Sequence, residues 1–372
     1  MRNQPSRRDF IRLVTIGTSA VMGARFLRPG AFGQAPGPVA ERRLGVALLG
    51  LGGYSTGELA PALQVTRRCR LAGVITGTPG KAQTWASRFN LPKKNLYDYS
   101  NLEQIADNPD IDIVYVVTPP GLHAEFAIRA AKAGKHVISE KPMACSVAEC
   151  DAMIAACRDA HVKLSVGYRL HFDPYHQELM RLAGPEGMGP FTKMSGNFGF
   201  RMWGRQWRAE KRLAGGGPMM DVGIYVVHAA CMAAGGVAPV AVTAKELPKT
   251  RPDFFKDVEE SMRWTMEFPG GALCLGESSY VRNANRFRAE GANGWIEFPD
   301  NAFAYRGIEC RTSRGPLSFQ PPVSQQARHM DDFADCILSG RPSTVPGELG
   351  RRDIRIVSAI YEAAATGNRV AV

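Results

Sequence analysis

Residues Leu44–Leu49 ("LGVALL") run without a break into Gly50-Leu51-Gly52-Gly53-Tyr54-Ser55, and an amphipathic stretch follows over Ser55–Gln64. A short apolar run, a glycine cluster and a helical pattern in that order spell a buried strand, a tight turn and a helix. A parallel strand of this kind needs partners reached by crossover connections. The chain supplies them. Arg70–Ile75, Ile111–Val117, His136–Ser139 and Lys163–Val166 are further buried-strand patterns, separated by helical patterns over Pro79–Phe89, Leu122–Ala133 and Val147–Ala160. Strict alternation of the two predicts a parallel sheet covered on both faces.

After about residue 167 the rhythm changes. Strand-like runs follow one another at Phe191–Phe200, Val240–Leu247, Ser261–Phe268, Ala272–Ser279, Phe287–Gly291 and Trp295–Phe298. Only Met219–Ala234 intervenes as a clear helix, and helical patterns at Gln325–Leu338 and Glu348–Ala365 close the chain. The expected fold is α/β: a Rossmann domain over 44–166, then an α+β domain over 167–372 with a large open, mostly antiparallel sheet.

The glycine turn has a chemical reading. Gly50 permits a tight turn, Gly52 lets backbone approach a pyrophosphate, and the helix opening at Ser55 turns its amide end toward the anion. Ser55 stands where a third glycine is usual. At the end of the second strand an NAD site carries an acid for the ribose hydroxyls. Here the chain reads "VITGTPGK" (Val74–Lys81), with no acid. Thr76, Gly77, Thr78 and Lys81 offer hydroxyls, amides and a positive charge, which suits the 2′-phosphate of NADP.

The N-terminus carries "SRRDFIRLV" (Ser6–Val14), then a mild apolar stretch and Gly33-Gln34-Ala35. That order predicts a removable twin-arginine export signal over 1–35, followed by a short arm over 36–43. Removing 1–35, with six Arg and one Asp, lowers the formal net charge from +11 to +6. The remaining charge is dispersed, which argues against a nucleic-acid partner. No apolar run reaches the ~18 residues of a membrane span. The expected location is the periplasm, reached through the twin-arginine machinery. The eight cysteines form no Cys-x-x-Cys pair and sit among apolar residues, so buried free thiols are expected.

Spaced motifs then carry a specific resemblance. "YDYSN" (Tyr97–Asn101), "LHAEFAIRAAKAGKHV" (Leu122–Val137), "GKHVISEKPMA" (Gly134–Ala144), "GYRLHFDPY" (Gly167–Tyr175) and "GGGPMMDVGIY" (Gly215–Tyr225) resemble the glucose–fructose oxidoreductase / inositol dehydrogenase family. Within it they are most similar to the branch of periplasmic glucose–fructose and aldose–aldose oxidoreductases. The resemblance covers roughly Arg43–Val370. It implies an NADP(H)-dependent sugar oxidoreductase with tightly bound cofactor, sugar substrates and assembly as a homo-dimer or homo-tetramer.

Site residues follow from the resemblance. Lys141 matches the lysine of the family's Glu-Lys-Pro motif, and Asp221 and Tyr225 match its Asp-x-x-x-Tyr/His pair. These three are the candidate catalytic residues. The resemblance places Thr118, Pro119, Leu122, His123, Glu140, Lys141, Arg169, Trp207 and Arg208 at the cofactor, with Tyr99 and Tyr280 as weaker candidates. They join Gly50, Leu51, Gly52, Gly53, Tyr54, Ser55, Thr76, Gly77, Thr78 and Lys81. His228 is read as structural, and no metal is expected at His171, Asp173 and His176.

The chemistry is coherent. Asp221 and Tyr225 are four apart, so on a helix they share a face. Oxidising an anomeric C–OH to a lactone releases a hydride and a proton, and a base must take the proton. A phenol is a weak base at neutrality, and a nearby Lys141 cation favours its phenolate. Two alternatives stay open: a sugar or inositol dehydrogenase with exchangeable cofactor, and an NAD-dependent glycoside hydrolase. A short arm leaves retention of the cofactor less secure than in relatives with longer ones.

Overall fold

The computed structural model describes residues 42–204, 206–320 and 324–372. The expected export signal, and the arm as far as residue 41, lie outside the described residues.

β1 (Leu44–Leu49), β2 (Cys69–Ile75), β3 (Leu96–Tyr97), β4 (Ile113–Val116), β5 (His136–Ser139) and β6 (Leu164–Val166) form one sheet. Its order is β3-β2-β1-β4-β5-β6, and every pairing is parallel. Every residue of β1 and β4 is buried, as expected for strands covered by helices on both faces. Chain order reverses between β1 and β4. The crevice beyond their carboxyl ends is where open α/β sheets bind ligands. β3, with two residues, is too short to show a periodicity and was not expected.

The second sheet contains β7 (Phe191–Gly199), β8 (Ala241–Glu246), β9 (Ser261–Glu267), β10 (Leu273–Ser279), β11 (Ala284–Gly291), β12 (Gly294–Phe298), β13 (Cys310–Thr312), β14 (Gly315–Leu317) and β15 (Val370–Ala371). Its order is β14-β13-β12-β11-β7-β10-β9-β8-β15. Only β7 and β10 pair in parallel. The helix Ile224–Ala233, buried at every residue, packs against its inner side. The short strands β13, β14 and β15 are additions to the expected set.

The helix Gln325–Ser339 crosses back. Its Ala327, Met330, Phe333 and Ala334 join Leu44, Val46, Leu48 and Ile138 in the core of the first sheet. This helix therefore packs with the first sheet although it comes late in the chain. All eight cysteines are unpaired and seven are fully buried. Among the described residues no helix is long and apolar enough to cross a membrane.

Candidate active site

The glycine turn has the geometry its residues demand. Gly50 adopts φ +99°, and a side chain there would lie 2.8 Å from the Val117 carbonyl oxygen. Only glycine fits that position without strain. Ser55 is buried and donates its hydroxyl to the Gly50 carbonyl at 2.6 Å. That bond explains a serine in the third glycine place. By contrast, a Cβ on Gly52 or Gly53 would meet nothing within 4 Å. The space a pyrophosphate needs is open there. Next to the glycine turn, the buried Thr118 hydroxyl has no hydrogen-bond partner. Open glycine backbone beside an unpartnered hydroxyl at a topological switch point fits a dinucleotide.

At the end of β2, Thr78 caps the helix Pro79–Phe89 in position only, since its side chain makes no cap hydrogen bond. Lys81 swings back toward the glycine turn, its Nζ 3.4 Å from the Leu51 carbonyl oxygen. Tyr99 lies behind this turn, its ring within 2.9 Å of where a Gly77 Cβ would stand. Thr76, Gly77, Thr78 and Lys81 thus gather beside the glycine turn.

A cavity of about 390 Å³ opens further along the crevice, bounded by segments that follow strands of the first sheet and by the second sheet. Tyr54, Thr118, His123, Glu140, Lys141, Arg169, Trp207, Arg208, Asp221 and Tyr225 all line it. Pro119 and Leu122 do not; their neighbour Pro120 does. Gly50–Gly53, Ser55, Thr76–Thr78, Lys81, Tyr99 and Tyr280 also lie outside its lining.

Within the cavity the charged groups are already bonded to one another. Lys141 donates from Nζ to the Asp221 carbonyl oxygen at 2.7 Å and approaches Asp221 Oδ1 at 3.4 Å. Asp221 Oδ2 accepts from Arg208 Nε at 2.8 Å and from the Tyr280 hydroxyl at 3.0 Å. Burial opposes the Asp221 charge, but Lys141 and Arg208 outweigh it and hold the carboxyl below its ordinary range. Arg208 and Tyr280, expected at the cofactor, are therefore first of all partners of Asp221. Tyr280 is fully buried.

The Lys141 ammonium stands over the Tyr225 ring, 4.6 Å from its centre. The cation that touches the Tyr225 hydroxyl is a different one. Arg169 Nε donates to it at 3.3 Å. Arg169 was expected on the cofactor side. It is buried, and also stacks over Tyr305 at 4.4 Å. Tyr225 thus sits between two cations, one on its face and one at its oxygen.

Asp221 and Tyr225 do face one cavity, through a wider turn than a regular helix provides. Met219–Gly223 is a π-helical segment that continues into the helix Ile224–Ala233. Such π segments often occur at functional sites. Glu140 is buried, accepts the Tyr115 hydroxyl at 2.7 Å and the Lys141 amide at 3.1 Å. Burial raises its carboxyl above the usual range, against Tyr115 and Lys141. Both ring nitrogens of His123 face carbonyl oxygens, Pro142 at 2.9 Å and Thr118 at 2.8 Å.

His228 is buried and bonded through Nδ1 to Asp353 at 2.6 Å, below the cavity. Asp173 accepts from His176 Nδ1 at 3.0 Å, while His171 packs 5.0 Å from the His228 ring. Sequence reasoning missed Phe198, Phe200, Asn285, Phe303 and Tyr305, which also line the cavity. Phe303 and Tyr305 come from an irregular loop between β12 and β13, where no periodicity marks a residue as inward-facing.

Comparison with known proteins agrees with this architecture. Residues 44–168 match the model of an oxidoreductase family with an NAD-binding Rossmann fold, GFO/IDH/MocA, and residues 176–297 match a GFO/IDH/MocA C-terminal domain. The chain belongs to the GFO/IDH/MocA oxidoreductase family. It is similar to the solved aldose–aldose oxidoreductase of Caulobacter crescentus, at 41% identity and TM-score 0.85 over 89% of this chain and 100% of that one. It is 28% identical to an NADP-dependent D-xylose 1-dehydrogenase of Haloferax volcanii, over 87% of this chain and 98% of that protein. A levoglucosan dehydrogenase solved with NADH and levoglucosan shares the fold, with TM-score 0.75 at 24% identity over 89% of this chain and 100% of that one.

Proposed function

We infer that this oxidoreductase is a periplasmic, NADP(H)-dependent sugar enzyme. It oxidises an aldose to its aldonolactone and reduces a second aldose or ketose to an alditol, with the cofactor kept bound. The observation that carries the reading is Tyr225, whose ring lies 4.6 Å from the Lys141 ammonium and whose hydroxyl accepts from Arg169 at 3.3 Å. A tyrosine oxygen held by an arginine in a cavity with polar walls is a proton acceptor for a sugar hydroxyl. The similarity to an aldose–aldose oxidoreductase and an NADP-dependent xylose dehydrogenase supports sugar as the substrate class.

The bound cofactor supplies a hydride acceptor or donor at the nicotinamide ring. The protein supplies the rest. In oxidation Tyr225 takes the anomeric hydroxyl proton, and the Lys141 cation over its ring and the Arg169 cation at its oxygen stabilise the negative charge that develops as the proton moves. In reduction Tyr225 returns a proton to the carbonyl oxygen. Asp221 holds Lys141 in place and leaves it oriented over the ring. Thr76, Thr78 and Lys81 would hold the 2′-phosphate, and the Gly50–Ser55 turn would hold the pyrophosphate.

Export and cofactor chemistry then fit together. Outside the cytosol there is no nucleotide pool. An exported dehydrogenase turns over repeatedly only if it keeps its nucleotide and regenerates it on a second substrate, and twin-arginine export moves proteins already folded. Incubating the purified protein with glucose and no added nucleotide should yield lactone and alditol in equal amounts. Turnover only when NADP is added would instead support a dehydrogenase with exchangeable cofactor, the reading favoured by the D-xylose 1-dehydrogenase relative.

A further inference from the structure

Arg169 must be aimed before it can serve Tyr225. A guanidinium carries five N–H donors in a rigid plane and accepts nothing, so its orientation follows from the acceptors around it. Nε points to the Tyr225 hydroxyl at 3.3 Å. Nη2 donates to the Phe303 carbonyl at 2.5 Å and Nη1 to the Ala304 carbonyl at 3.0 Å. These two acceptors lie on the irregular loop. The remaining acceptor is a side chain, Gln325 Oε1, at 2.5 Å from Nη1.

Gln325 opens the helix Gln325–Ser339, the element that packs on the first sheet's core, and is buried with 1% exposure. An amide can present either its oxygen or its nitrogen, and its neighbours decide which. Gln325 Nε2 donates to Asp173 Oδ2 at 2.9 Å. Nε2 also reaches the Ala304 carbonyl oxygen, at the longer distance of 3.4 Å. Both partners only accept, and Asp173, the nearer and charged one, directs the amide nitrogen toward itself and the amide oxygen toward Arg169. Asp173 cannot turn away. Its Oδ1 accepts from the backbone amides of Tyr175 and His176 at the start of the helix Pro174–Ala183, and from His176 Nδ1 at 3.0 Å. Asp173 is 2% exposed, and its carboxyl stays below the ordinary range because these donors outweigh its burial.

We propose that Gln325 and Asp173 are positioning residues, a buried hydrogen-bond relay that locks Arg169 against the Tyr225 hydroxyl. The relay's value for catalysis rests on the sugar oxidoreductase reading above; the lock itself does not. With Gln325 spent on Arg169 and Asp173, neither touches the substrate, and their effect passes through one guanidinium.

The isosteric variant Asp173→Asn is the sharpest probe. Its oxygen must remain on the helix amides, so its new NH₂ faces Gln325. The Gln325 amide then turns over and presents NH₂ to Arg169, donor against donor. Volume is unchanged, and the helix cap survives. In Gln325→Leu the acceptor is simply removed. Two readouts separate the lock from the reading it serves. In protein labelled in its arginines, the guanidinium Nη–H resonances that vanish in Arg169→Lys should be resolved and slow to exchange in the wild type. They should average together in Asp173→Asn and Gln325→Leu. Unchanged resonances in Asp173→Asn would overturn the proposal. On sugar turnover, each variant should lower kcat by about 10- to 100-fold through misplacement of a catalytic neighbour. KM for the sugar should stay within about threefold, since ground-state binding is untouched.

The double variant Gln325→Leu/Arg169→Leu should be no worse than Arg169→Leu alone, because both changes act through one group. Multiplicative losses, or an unchanged kcat in Asp173→Asn with an active wild type, would also overturn it. A wild-type protein that turns over no sugar overturns the functional reading instead, and the resonances then judge the lock by themselves.

Discussion

The two walls of the crevice are built on opposite plans. The Rossmann wall offers backbone and unspent polar atoms: open space above Gly52 and Gly53, and a buried Thr118 hydroxyl with no partner. The wall toward the second sheet arrives with its polar atoms already committed. Asp221 is held by Lys141, Arg208 and Tyr280, and Arg169 by Tyr225, Gln325, Phe303 and Ala304. An unsatisfied buried polar atom costs about 1–3 kcal/mol, so a wall that leaves one waiting is shaped for a ligand that will satisfy it. A wall whose groups satisfy each other is shaped to hold charges still while bonds change beside them.

The difference can be broken from either side. The largest effect is expected at Lys141. Lys141→Met removes the cation over Tyr225 and leaves Asp221 with fewer donors, and kcat should fall by about 10³-fold, with nucleotide affinity changed far less. Steady-state kinetics with a matched NADPH binding titration separates the two. Gly50→Val acts at the glycine turn instead. The φ of +99° and the Val117 carbonyl 2.8 Å from its Cβ leave no room. Its Kd for NADPH should rise by about 10- to 100-fold, a cost of roughly 1.4–2.8 kcal/mol.

A matched pair tests the plans directly. Thr118→Val deletes an unpartnered hydroxyl, so the nucleotide-free protein should melt no lower than wild type and bind NADPH more weakly. Tyr280→Phe deletes a bond to Asp221 Oδ2, and the nucleotide-free protein should lose about 1–3 kcal/mol. Thermal melting with and without NADPH reads both. Equal destabilisation by the two would erase the contrast.

The last expected effect is on the acid side. Burial pushes His171 down to about 3 and His329 down to about 4, from an ordinary 6.5. Below pH 6.5 the unfolded chain takes up protons that the folded one refuses, so the contribution is complete above 6.5 and declines as pH falls. Each histidine can remove up to ~1.4 kcal/mol per pH unit. Melting temperature should therefore fall between pH 7 and pH 5, and His329→Gln should flatten the slope.

The same contrast explains what was legible in the sequence. The Rossmann wall is local. Leu44–Ser55 contains strand, turn and helix start in one stretch, so residue order alone reveals it. The committed wall is assembled from afar. Arg169 meets Tyr225 across 56 positions and Gln325 across 156. No periodicity connects such residues, and only the family resemblance pointed to Lys141, Asp221 and Tyr225. The resemblance placed Arg169 in the site, but the partner it holds is visible only in three dimensions. The π-helical turn at Met219–Gly223 escaped for a related reason, since its residues carry no pattern that separates it from an ordinary helix.

Tyr225 moves the proton, and the glycine turn holds the nucleotide. A single turnover separates the two roles. Wild type and Tyr225→Phe are loaded with equal amounts of NADP⁺ and mixed with an aldose, and the reduced nicotinamide absorbance is followed. Nucleotide content should be equal, and the rise at least ~100-fold slower in Tyr225→Phe. Equal rates in the two proteins would contradict that role for Tyr225.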